Sequence, residues 1–263
     1  MTSFPQLTTG NISQYPLEYK HSIRTIANRL ADGNSITQLD IQPVITRWQL
    51  RYDCLSDQER LGLEAFFISH EGRLRPFTFL DPAGNLIKWS EDYSKSAWDK
   101  GPGINLTAGI EGSEGINSAT GITNTSAISQ AIKQVIQAPG NFHYCFSFFA
   151  KSLAGQTIRT IRQCGSFTKL DTIELTTNWK RYAVSGNLQV NVPVISFGIQ
   201  IEPGGQAGIF GMQVEAQVAP GSYRANQDRS AIHETTHFAD DHLSFVQSGP
   251  NNNTLTIRLI TAN

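Results

Sequence analysis

Residues 47–52 alternate strictly, with Trp48, Leu50 and Tyr52 facing one way and Arg47, Gln49 and Arg51 the other. A period of two predicts a strand with one buried face. Between residues 55 and 67 the apolar spacing becomes helical, and residues 75–80 alternate again. Ser56 followed by Glu59 predicts a capping box, in which the hydroxyl accepts a backbone N–H bond and the carboxylate reaches back. Leu61, Leu63, Phe66 and Phe67 then form the stripe expected to pack on the sheet, and Gly72 permits the positive φ at which helices end.

Beyond the turn at Asp81-Pro82-Ala83-Gly84-Asn85 the texture changes to short strands separated by turn signals. They are expected at 128–135, 142–150, 157–163, 173–175, 179–185, 194–200 and 207–215, and such spacing predicts a β-sandwich. The chain closes with two more strands, 237–246 and 254–260, joined through Ser248-Gly249-Pro250-Asn251-Asn252-Asn253 as a hairpin.

The order Leu55-Ser56-x-x-Glu59, Phe66-Phe67, Gly72-Arg73 and Phe77-x-Phe79-x-Asp81-Pro82 resembles the minor and distal tail proteins of tailed bacteriophages. Phe4 to Gly10, Gln14-Tyr15-Pro16 and Ala31-Asp32-Gly33-Asn34 agree with it, over roughly the first third of the chain. The resemblance implies a small β-sandwich with one helix that closes into a ring at the end of the tail tube and links the tube to the tip or baseplate. A hexamer is implied because that family's tails are sixfold. Asp32-Gly33 sits in a less basic, less aromatic turn than is usual there, which leaves the subfamily open.

A second order is similar to carbohydrate-binding-like jelly rolls of phage tail proteins and glycoside-active enzymes. It consists of Trp98 and Lys100, then residues 119–122, 146–151, 179–182, 209–215 and 220–224, spanning roughly half the chain. Single-domain tail proteins follow the Phe-x-Phe-x-Asp-Pro strand closely with a terminal Thr-x-Thr-Ile-x-Leu strand, here Thr254 to Leu259. The expected organisation is therefore mainly β: a discontinuous tail domain of residues 1–85 and 229–263, and an inserted jelly roll of residues 86–228. The ends of an insert must lie close together, which sandwiches allow.

Size and charge narrow the function. A chain of 263 residues suggests two domains. The net charge of −1 and pI near 6.6 give no basic surface for nucleic acid. No apolar run has bilayer length, and the start MTSFPQLTTG lacks the basic and apolar regions of a secretory signal. Cys54, Cys145 and Cys164 are odd in number, without metal-like spacing, and fit synthesis in a reducing host cytoplasm.

Several residues invite chemistry. His233-Glu234-Thr235-Thr236-His237 spells the zinc-protease pattern HExxH, with His233 and His237 as the zinc candidates. The pattern requires a helix and a third ligand, whereas the paired threonines favour strand or loop. Asp240, Asp241 and His242 offer oxygens for Ca²⁺ but read better as a solvated turn. Glu215 with Glu111 or Glu114 is the glycosidase-type carboxylate set. Trp89, Tyr93 and Trp98 are the candidate sugar-stacking rings, while Trp179, Tyr182, Phe146, Phe148 and Phe149 read as core. The expectation is a structural, non-enzymatic virion tail protein without cofactor, partnered by itself, by tail tube and by tip or baseplate proteins. The alternative is a tail component binding a host-surface glycan; a zinc metalloprotease is the lesser one.

Overall fold

The computed structural model describes residues 2–39, 44–112, 118–152 and 156–262, whose regular structure is antiparallel β strands and one helix. In chain order the elements begin with β1 (Glu18–Ser22), β2 (Thr25–Arg29), β3 (Ser35–Leu39), β4 (Ile45–Leu55), α1 (Asp57–Ser69) and β5 (Phe77–Leu80). They continue with β6 (Asp99–Lys100), β7 (Ile104–Ile110), β8 (Ala119–Asn124), β9 (Gln130–Ile136), β10 (Tyr144–Ser152) and β11 (Thr157–Cys164). Next come β12 (Phe167–Glu174), β13 (Lys180–Gly186), β14 (Ile195–Ile201) and β15 (Gln206–Glu215), and last β16 (Ile232–Phe238), β17 (Phe245–Gly249) and β18 (Asn252–Ala262).

The chain forms two compact units. One comprises Met1–Leu7, Ser13–Phe79 and His233–Asn263, the other Thr8–Ile12 and Leu80–Ile232. The short N-terminal stretch Thr8–Ile12, assigned by sequence to the tail domain, belongs to the second unit. There Ile12 is buried, Gly10 takes a φ of +85° beside Val218 and His143, and the Val218 N–H donates to Asn11.

In the first unit β1-β4-β18-β16-β5 form one sheet, with β17 on β18. Its inner face carries Trp48, Leu50 and Tyr52 from β4 beside Leu255, Ile257 and Leu259 from β18, as the alternation requires. Helix α1 lies on this face through aromatic contacts, Phe66 to Phe77 at 5.1 Å and Phe67 to Phe238 at 4.9 Å, with Phe4 between Phe66 and Phe79. The capping box forms: Ser56 Oγ accepts from the Glu59 N–H at 3.2 Å, and the Ser56 N–H donates to Glu59 Oε2 at 3.0 Å.

Two expectations for this unit change. Leu61 is 54% exposed while Leu63 is buried. Residues two apart lie about 200° apart around a helix, so both cannot join one stripe. The single strand expected over 237–246 is split, because Asp240 pairs with Arg258 and Asp241 with Arg73 in a loop between β16 and β17. Adjacent carboxylates cannot both point outward from a strand, so the strand ends before them. Separately, β2 and β3 form a two-stranded hairpin closed by Gly33 at φ +87°, and every residue of both strands is exposed.

The second unit is a sandwich of two five-stranded antiparallel sheets, β13-β10-β15-β8-β7 and β12-β11-β14-β9-β6. Aromatic rings meet between the layers, with Tyr144 5.4 Å and Phe146 6.0 Å from Phe197. Cys164 and Cys145 are buried, and burial pushes the Cys145 thiol up to about 11, while Cys54 of the first unit is exposed. The two crossings into and out of the inserted segment are hydrogen-bonded to each other, Asp81 N–H to Ala231 O at 2.9 Å and Ala231 N–H to Asn85 O at 3.0 Å. A side chain on Gly84 would collide with Ala231, so this approach requires glycine. The amide of Asn85, 3% exposed, donates to the carbonyls of Met212 and Arg224 and accepts from the N–H groups of Ile87 and Val214.

Candidate functional site

Directly paired residues of antiparallel strands point to the same face of a sheet. Across the outer face of β13-β10-β15-β8-β7, one such row reads Lys151, Gly208, Gly121 and Thr107, from β10, β15, β8 and β7. The next row carries Gln206, Thr123 and Asn105. Side-by-side glycines remove the side chains from the middle of the face. They leave a trough of about 200 Å³ lined by Thr107, Ile110, Gly121, Thr123, Lys151 and Gln206 among others. Four strands at about 4.8 Å spacing make a floor roughly 14 Å wide.

Half-buried Trp179 walls one side of this floor. Its Nε1–H donates to the Glu111 carbonyl at 3.1 Å, its ring edge lies over Gly208, and Lys151 Nζ stands 5.1 Å from its centroid. Across from it, the Thr107 and Thr123 hydroxyls and the Gln206 amide make no side-chain hydrogen bond among the described residues. The trough thus combines a flat backbone floor, an aromatic wall, neutral polar groups and one cation.

The rest of this face is closed by residues 216–224. The Gly221 N–H lies 3.1 Å from both Glu215 oxygens, Gln213 Nε2 donates to the Ser222 carbonyl and Gln213 Oε1 accepts from the Arg224 N–H. Arg181 donates to the Gly221 carbonyl and to Ser147 Oγ, and the Tyr223 ring covers Gly211 beside Phe149 and Phe210. Burial raises the Glu215 pKa above the ordinary glutamate value, with the hydrogen bonds from Gln213 and Gly221 opposing the rise. A raised folded-state pKa means that the folded chain holds the proton more tightly than the unfolded chain. The Glu215 contribution to stability is full below about pH 4.5 and is lost as pH rises through the folded value. In urea titrations across this window, Glu215→Gln should flatten the decline relative to the parent; an unchanged slope would contradict the assignment.

The sequence-selected residues fall elsewhere. Tyr93 and Trp98 are 1% and 2% exposed and pack on each other at 5.2 Å, so neither offers a stacking face. Trp89 is half-buried at φ +51°, with Lys95 over its ring. Trp179, read as core, borders the trough, whereas Tyr182 is buried as expected. His233 and His237 lie on β16, where four residues span about 13 Å. His233 packs on the Trp48 ring and His237 bonds the Arg73 carbonyl, so their rings do not converge as Zn–N distances of about 2 Å require. Asp240 and Asp241 are engaged by arginines rather than poised for Ca²⁺, and no group of three metal-type ligands occurs among the described residues. Glu215 is covered, Glu111 contributes its carbonyl, and Glu114 lies outside the described residues. Lys151 was visible only as the end of a motif. The glycine pair was invisible because Gly121 and Gly208 meet only through strand register.

No protein-family model and no curated protein matches the chain. Among solved structures, TmCBM61 in complex with beta-1,4-galactotriose is similar at 16% identity and a TM-score of 0.39, over 49% of this chain and 97% of that one. The enzymatically active domain of bacteriophage CBA120 tailspike protein 4 is similar at 14% and 0.40, over 52% of this chain and 22% of its own. The CBM22-1–GH10 modules of Clostridium thermocellum endo-1,4-beta-D-xylanase 10B, complexed with xylohexaose, are similar at 16% and 0.41, over 54% and 30% respectively. All are resemblances of about half the chain.

Proposed function

We propose that the chain is a tail component of a tailed bacteriophage virion whose second unit grips a surface glycan and whose first unit attaches it to the tail. The paired-glycine trough carries the glycan part. A pyranose ring is flat on its C–H face and rimmed by hydroxyls, and the trough presents a flat floor, an indole wall and hydroxyl and amide groups that make no side-chain hydrogen bond among the described residues. The attachment part is supported by the motif order from Leu55 to Pro82.

Gly121→Val tests the glycan part without disturbing the fold. A Cβ there has its nearest neighbours at 3.6 Å and 3.7 Å, ordinary contact distances, and valine favours strands. The parent should bind polysaccharide on a host-surface glycan array, and the variant should lose at least about tenfold in affinity, about 1.4 kcal/mol, with unchanged thermal unfolding. Equal binding by both proteins, or binding by neither, ends this reading.

A second reading, assembly into a ring of copies, is favoured by the β2–β3 hairpin. Its exposed Ile26, Ile36 and Leu39 lie on two strands that no third strand supports among the described residues, and isolated hairpins are marginal in water. Light scattering should find a discrete oligomer, a hexamer if the tail symmetry applies, and Ile36→Asp should shift it toward monomer. A parent that is monomeric at every concentration removes this reading.

A further inference from the structure

Resting on the glycan reading, we infer that the trough selects acidic sugars, taking a uronate or sialate carboxylate on Lys151. Three observations converge on that cation. Lys151 lies at one end of the row Lys151, Gly208, Gly121 and Thr107, so a ring laid on the two glycines meets its ammonium at the edge. The other polar groups of the trough, Thr107, Thr123 and Gln206, are neutral. Lys151 makes no ion pair with any described carboxylate, and its Nζ is instead held 5.1 Å from the Trp179 centroid.

Each point has a chemical consequence. A neutral hexose needs no ammonium beside its stacking wall, since hydroxyls and amides satisfy its hydroxyls at smaller desolvation cost. The cation–π contact fixes a flexible four-carbon chain in one place, so less entropy is lost when an anion arrives. A charge-assisted hydrogen bond from ammonium to carboxylate is roughly twice as strong as a neutral one, and at the edge of an apolar wall it is screened less than in bulk water. The trough therefore discriminates by charge as well as by ring shape.

The test uses the full chain and immobilised hyaluronan, polygalacturonate and polysialate, each beside its carboxyl-reduced form, together with neutral surface polysaccharides. At least one acidic polymer should bind, and its carboxyl-reduced partner should bind about tenfold or more weakly. Lys151→Gln, which keeps most of the stem against Trp179, should lose a similar factor on the acidic polymer and several-fold less on the reduced one. Equal affinity for acidic and reduced forms, or binding confined to neutral polymers, overturns the charge selection and leaves the trough as a glycan site. Binding to no polymer overturns both.

Discussion

Asn85→Ala should destabilise the second unit by on the order of 4 kcal/mol, because it leaves four backbone groups without their partner at about 1 kcal/mol or more each. Those groups are the carbonyls of Met212 and Arg224 and the N–H groups of Ile87 and Val214. No water-facing alternative exists at the buried pairs, so the loss should approach the full desolvation cost. The neighbouring crossing should loosen with it: in native-state hydrogen exchange, the amides of Asp81 and Ala231 should lose protection in the variant. A loss below about 1 kcal/mol would show that the amide is not the hub described.

A second large effect is expected at the other sheet of the sandwich. Arg162 has a side chain 2% exposed, and it is paired at 2.7 Å with Asp171, which is 31% exposed. Arg162 Nε and Nη1 find no hydrogen-bond partner among the described residues. Asp171→Ala would strand a guanidinium between the layers, at a cost of about 3 kcal/mol after discounting for the exposure of the carboxylate. Replacing both partners, Arg162→Met with Asp171→Ala, should recover most of the loss, because an apolar pair of similar volume needs no charge compensation. Urea midpoints of the three proteins decide the matter, and an additive double variant would refute the coupling.

The strands that could be read from sequence were those with one clear buried face. β4 shows it in Trp48, Leu50 and Tyr52, and β10, β11, β14 and β15 lie close to their expected bounds. α1 was legible because Ser56 and Glu59 mark its start chemically, independent of its apolar pattern. β1, β2, β3 and β7 escaped notice because their residues are mostly exposed and no core imposes alternation on them. The site failed for a different reason. Aromatic residues clustered in sequence predict a stacking platform, but Tyr93 and Trp98 turn inward and pack on each other. The trough arises from absent side chains at Gly121 and Gly208, 87 residues apart, which only their pairing brings together. The alternation places Trp179 inside a strand 179–185 and therefore in the core, yet Trp179 sits just before β13 and lies over the outer face.

The pairing of β4 with β18 also bears on the order of events at the ribosome. β4 is complete when residue 55 has been made, but its long hydrogen-bonded neighbour is β18, and Asn253 reaches back 198 residues to the Leu55 carbonyl. A nascent chain therefore carries an open strand edge until β18 is made, while the second unit has all its residues in hand by residue 232. The second unit is free to fold before the first, and the exposed edge of β4 is the segment a holdase would shield in the interval.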